Sequence, residues 1–243
     1  MNRALLKQDA KNAMSMANPH PVLTTLVYMV VSLAATMVLG VVSGILGVGD
    51  AIFDNAAVSF MTGLLYMAAA IVVSLLLGTV QFGYTVYSLK VFKQEETGIN
   101  ELFAYFPMLL KIFGLSLWMG LFIFLWSCLC VIPGIIAGLR YSQAFYILAE
   151  NPDMSIRDCV NESKNMMAGR LWEFFVLQLS FILWELLVSV TCGLAALYVS
   201  PYMQVTMAGY YLSLKPYNSY DSGYQDGYAD GYNAGGGYQD NQF

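Results

Sequence analysis

Two charged side chains stand inside stretches apolar enough to cross a bilayer. Arg140 follows Ile135-Ile136-Ala137-Gly138-Leu139, and Glu185 is set in Phe181-Ile182-Leu183-Trp184-Glu185-Leu186-Leu187. Ionisable groups at membrane depth are costly, and they mark ion paths, proton relays or charge pairs. If Pro133-Gly134 is the outer end of its helix, Arg140 lies about 10 Å below it at about 1.5 Å per residue. Glu185 is then about 21 Å up from Leu171 at the inner face, hence roughly 9 Å from the outer face of a core about 30 Å thick. The depths coincide, so an Arg140–Glu185 ion pair is geometrically allowed. It reads as a clamp in which each charge neutralises the other, or as a proton- or ion-coupled site. A third reading leaves Glu185 unpaired and protonated by burial. Gln81 and Gln178, each about 10 Å from the inner face by the same count, add neutral polarity, as does Gln143. Interhelical hydrogen bonds average about 0.6 kcal/mol, so these amides read as helix glue first and as the lining of a polar cavity second.

Other reactive types are sparse. His20 is the one histidine, which argues against His-rich metal sites. The Cys128–Cys130 spacing is no zinc site without further ligands. Together with Cys159 and Cys192, these residues read as free thiols rather than as a bridge to Cys192. Asp50 and Asp54 read as a solvated loop start. Asn161-Glu162-Ser163 matches a glycosylation sequon but falls on the side predicted to face inward. No phosphate loop, dinucleotide fingerprint or serine-nucleophile elbow occurs. The expectation is a protein that is not an enzyme, with no catalytic set, no cofactor, no metal and no nucleic-acid partner.

The elements that hold these residues follow from composition. Apolar residues make up 58% of the 243 and charged ones 11%, too few charges to coat a water-soluble globule. A ruler of about 20 apolar residues per crossing gives six spans: Val22–Val48, Ala57–Leu89, Met108–Val131, Ile135–Ala149, Leu171–Thr191 and Leu194–Leu214. Ile132-Pro133-Gly134 reads as the turn between the third and fourth. Cys192-Gly193 or Ser200-Pro201 holds the bend before the sixth, unless Pro201 kinks a helix that starts earlier. Gly40–Gly44 and Gly134–Gly138 have the small-residue spacing that permits close helix approach.

Lys and Arg set the orientation. Ten of the eleven basic residues fall before span one, between spans two and three or just inside span three (Lys111), between spans four and five, or after span six; the eleventh is Arg140. Six spans therefore place both termini in the cytoplasm. The segment 1–21 is a cytoplasmic amphipathic piece, with Leu5, Leu6, Ala10, Ala13, Met14 and Ala17 opposite Arg3, Lys7 and Lys11, and reads as a helix on the membrane surface. Residues 22–215 form the membrane domain. Its inner connection carries an amphipathic helix over about 155–168, started by a Ser155–Asp158 capping box and stopped at Gly169. Residues 216–243 are different material. Tyr220, Tyr224, Tyr228 and Tyr232 recur every four residues among glycines, and four aspartates supply most of the net charge of −5. With no aliphatic side chain larger than Ala, this tail reads as disordered and as a place for a protein partner to bind.

One ordered series of residues is familiar. It runs Trp126 to Ile136 through Cys128, Cys130 and Pro133-Gly134, then Tyr141 to Glu150-Asn151-Pro152. Glu162-Ser163-Lys164 to Gly169 follows, then Leu179 to Trp184, Pro201-Tyr202 and Tyr210-Tyr211. It resembles a family of bacterial integral membrane proteins catalogued as domain of unknown function number nine hundred seventy-five. The resemblance implies a six-helix bundle with a large cytoplasmic helix between spans four and five, and no reaction. The expected architecture is thus an all-α polytopic bundle in the bacterial cytoplasmic membrane, in contact with the lipid bilayer. The expected role is a non-enzymatic scaffold or accessory factor acting through its cytoplasmic face, by the 155–168 helix and the tail. The alternative is a transporter or channel for a small or amphiphilic solute, centred on Arg140 and Glu185.

Overall fold

A computed structural model describes residues 3–53 and 55–215. The elements are α1 (Arg3–Met16), α2 (Pro21–Phe53), α3 (Ala56–Phe92), α4 (Leu109–Leu129), α5 (Val131–Tyr141), α6 (Ala144–Glu150), α7 (Ile156–Met166), α8 (Leu171–Leu179), α9 (Ile182–Val190) and α10 (Ala196–Leu214). Short 3₁₀ turns at Ile99–Leu102 and Phe106–Met108 lead into α4. Every regular element among the described residues is helical, so the chain is an all-α bundle.

Five segments are long and apolar enough to cross a membrane: Pro21–Val48, Ala56–Phe92, Ile99–Leu129, Val131–Glu150 and Leu171–Val190. The sixth expected span is α10, which is less apolar because Tyr198, Tyr202, Gln204, Tyr210 and Tyr211 interrupt it. Its position explains why this is tolerated. Val199, Val205, Thr206, Ala208, Tyr210 and Tyr211 are buried against neighbouring helices rather than offered to lipid. In contrast, α2 and the first half of α3 present Met37, Val41, Ile45, Phe60, Met61 and Leu65 outward, each more than half exposed. Lipid tails cover such a surface at no cost; water would not.

The packed core gathers at the other end of α3, where Thr79–Phe92 is buried almost throughout. Gly83 lets the first 3₁₀ turn lie directly on this helix, since a Cβ there would sit 2.6 Å from the carbonyl oxygens of Glu101 and Leu102. Gly209 does the same for α10, whose backbone rests on the Phe92 ring. Tyr84 stacks on Tyr28 with centroids 5.2 Å apart, and its hydroxyl is 2.8 Å from Thr25 Oγ1, which joins α2 to α3.

Several expectations need correction in detail. The break between the third and fourth spans is at Cys130, in extended backbone, and Pro133-Gly134 lies inside the first turn of α5. Proline costs a helix little there, because the N–H it removes has no intrahelical partner. Gly134 instead serves close packing: a Cβ would fall 3.0 Å from Ser127 Cα of α4. Its spacing partner Gly138, and the Gly40–Gly44 pair, have nothing within 4 Å. The fifth span is broken at Ser180-Phe181, between α8 and α9. The N-terminal helix packs on the protein, burying Leu6, Ala10, Ala13 and Met14. Lys7 donates to Ser180 Oγ at 2.7 Å and sits 4.3 Å over the Phe181 ring, gripping that break. Burial, then the charge of Arg3, lowers the Lys7 ammonium pKa.

Candidate functional site

Three helices end together. α3 stops at Lys93, where Gln94 turns into the left-handed region at φ 56; α6 stops at Glu150; α10 stops at Lys215. Helix C-termini carry partial negative charge, so cations are favoured there and a carboxylate is not. Glu150 is held by compensation. Its carboxylate pairs with Lys93 Nζ at 3.1 Å and with Lys215 Nζ, and it accepts the Tyr211 hydroxyl at 2.5 Å. Its side chain is 14% exposed, so it is largely withdrawn from water. Tyr211 in turn stacks on Tyr146 at 5.2 Å between centroids, tying the charge node to the aromatic core. Lys93 also reaches Glu95 at 3.7 Å, and Lys90 meets Glu101 at 2.6 Å one turn earlier.

A second joint lies at the α5–α6 break. Interrupting a helix leaves a carbonyl and an N–H without intrahelical partners. Ser163 of α7, fully buried, donates to the Arg140 carbonyl at 2.7 Å and accepts from the Gln143 N–H at 3.2 Å. Ser163 faces inward because α7 is amphipathic, with Cys159, Val160 and Ser163 buried. The start and stop of α7 match the capping box and glycine. Ser155 Oγ accepts the Asp158 N–H at 3.2 Å and donates to its carboxylate at 2.6 Å, and Gly169 turns at φ 75. The connection before it is anchored by Lys111, which donates to the Pro152 carbonyl.

The residues singled out from sequence stand apart from one another. Arg140 and Glu185 are both exposed, and no ion pair among the described residues joins them. Equal depth fixed neither the rotation of the two helices nor the break at Ser180-Phe181, which separates the stretch carrying Glu185 from α8. Gln143 is buried; its amide nitrogen donates to Ser142 Oγ at 2.8 Å, and its Oε1 has no partner among the described residues. Gln81 is half-buried and Gln178 exposed, and no hydrogen bond links them among the described residues. The four cysteines are free thiols: Cys159 is buried, the others exposed. Tyr220, Tyr224, Tyr228 and Tyr232 lie outside the described residues.

The node at Glu150 is not among the residues the sequence singles out, because the positions of charges along the chain give orientation but not which helix ends meet. The signal was present: Lys93, Glu150 and Lys215 each follow an apolar run, and six alternating spans place all three at the same end.

Residues 128–218 match the model of a family described as "Protein of unknown function (DUF975)". The matched stretch holds Glu150, Ser163, Tyr211 and Lys215, so both joints fall largely inside it. No curated protein and no solved structure matches the chain. A match to a family of unknown function, together with five helices long and apolar enough to cross a bilayer, fits a membrane protein.

Proposed function

We propose that this chain is a non-enzymatic scaffold or accessory factor of the bacterial cytoplasmic membrane, with both termini in the cytoplasm, and that it acts through its inner face. The observation that carries the reading is the uneven packing. The buried core, the node at Glu150 and the docked helices α1 and α7 gather around the ends of α3, α6 and α10, while the most apolar stretches of α2 and α3 stay unburied. A rigid body at one end of exposed apolar hairpins suits presentation of a surface. The exposed Asp158, Glu162 and Asn165 of α7 form that surface, and the tail of residues 216–243 is a second place for a partner to bind. Transport through Arg140 and Glu185 gains nothing from the geometry, since the two residues are not joined.

The test is isolation in native lipid discs. Proteins retained by the full chain and lost on removal of residues 216–243, or on Glu162→Ala with Asn165→Ala, support the proposal. Retention unchanged by either, with solute flux in liposomes abolished by Glu185→Gln, overturns it in favour of transport.

A further inference from the structure

Between α4, α5 and α7 lies a half-open cavity of about 260 Å³ whose lining divides by chemistry. Trp118 and Phe122 of α4, with centroids 5.1 Å apart, and Tyr141 of α5 form an aromatic wall. Arg157, Asn161 and Lys164 of α7 form the facing wall. Their spacing puts all three on one face of that helix. The Arg157 guanidinium lies 5.4 Å from the Trp118 ring centroid, and Lys164 Nζ lies 5.5 Å from that of Tyr141. Both cations are exposed, and neither enters an ion pair among the described residues. The acids of α7 do not line the cavity: Asp158 is bonded to Ser155, and Glu162 is not among the lining residues.

From the aromatic wall, an apolar stripe continues along α4 at helical spacing. It runs through Trp118, Phe122, Leu125 and Leu129, and the last two are 62% and 71% exposed. A cationic mouth therefore opens at one end of an uncovered apolar track. Free phosphate or an acidic peptide would use the mouth and leave the track bare. A molecule with an anionic head and hydrocarbon chains uses both. Arg supplies a planar fork suited to a phosphodiester, Lys a point charge, and Asn161 a neutral donor.

We propose that this groove is a binding site for an anionic phospholipid, with the phosphate between Arg157 and Lys164 and an acyl chain along the Trp118–Leu129 stripe. The site is separate from the node at Glu150 and does not depend on the scaffold reading.

Native mass spectrometry of the full chain in detergent tests it, with phosphatidylglycerol, phosphatidylcholine and inorganic phosphate as probes. Phosphatidylglycerol is expected to stay bound where phosphatidylcholine and phosphate do not. The double variant Arg157→Gln, Lys164→Gln is expected to weaken its retention about tenfold, equivalent to about 1.4 kcal/mol. Phosphatidylglycerol carrying brominated chains is expected to quench tryptophan emission in the wild type, with the quenched component lost in Trp118→Phe. This second readout does not require the double variant to fold. Equal retention of the two lipids, undiminished binding by the double variant, phosphate binding as strongly as lipid, or quenching unchanged in Trp118→Phe would each overturn the proposal.

Discussion

Replacing Glu150 by Gln keeps the shape of the side chain and removes its charge, which isolates the electrostatics of the three helix ends. The full pair energies are large: at about 4 Å and an effective dielectric constant near 20, two unit charges attract by about 4 kcal/mol. Much of this only offsets desolvation, and breaking a fully buried pair costs about 3–5 kcal/mol. Here Glu150 is 14% exposed, Lys93 19% and Lys215 28%, so water screens part of the interaction. The expected loss is about 1–3 kcal/mol. For a chain of this size that is roughly 2–12 °C in Tm. The assay is thermal unfolding in detergent, followed by circular dichroism. A double-mutant cycle supplies the second half of the test. Adding Lys215→Met to Glu150→Gln removes a cation that has lost its anion, so the double variant should lose less than the sum of the singles. An unchanged Tm for Glu150→Gln, or strictly additive losses, would refute the compensation argument.

Four further outcomes follow from the geometry. Ser163→Ala leaves the Arg140 carbonyl and the Gln143 N–H unpaired in a buried place, and should cost about 2–4 kcal/mol by the same unfolding assay. Gly83→Ala drives a Cβ against the backbone of residues 101 and 102, and overpacking of that kind costs about 1–3 kcal/mol; Gly138→Ala, with open space around it, should be within about 0.5 kcal/mol of wild type. Glu185→Gln should leave Tm unchanged, because no ion pair is there to break; a drop of several degrees would restore the Arg140–Glu185 clamp.

What was legible in the sequence was set by hydropathy and local chemistry. The ends of α2, α3, α4 and α10 fall within three residues of the expected spans, Phe53 excepted, because long apolar runs define their own limits. The capping box of α7 and its glycine stop were readable because both act within a few residues. Contacts between helices were not. Depth along the membrane placed Arg140 and Glu185 level, but pairing also needs the rotation and path of each helix, which depend on the breaks at Cys130 and Ser180-Phe181. The docking of α1 was hidden for a related reason: a short amphipathic helix fits a lipid surface and a protein groove equally well, and only the burial of Ala10 and Ala13 against neighbouring helices distinguishes them. In the sequence, the residues behind the family resemblance form a linear series. In the fold, Glu150, Ser163 and Tyr211 from that series become the joints that hold α5, α6, α7 and α10 together.

In the proposed orientation, the packed body and the exposed face of α7 look into the cytoplasm. Single-cysteine labelling in intact cells measures this directly. In a background with the four native cysteines replaced, Asn165→Cys on α7 and Leu194→Cys in the α9–α10 turn are exposed to a membrane-impermeant maleimide. Residue 194 is expected to be labelled in intact cells, whereas residue 165 is expected to be labelled only after the membrane is permeabilised. Labelling of residue 165 in intact cells, with residue 194 protected, would contradict it.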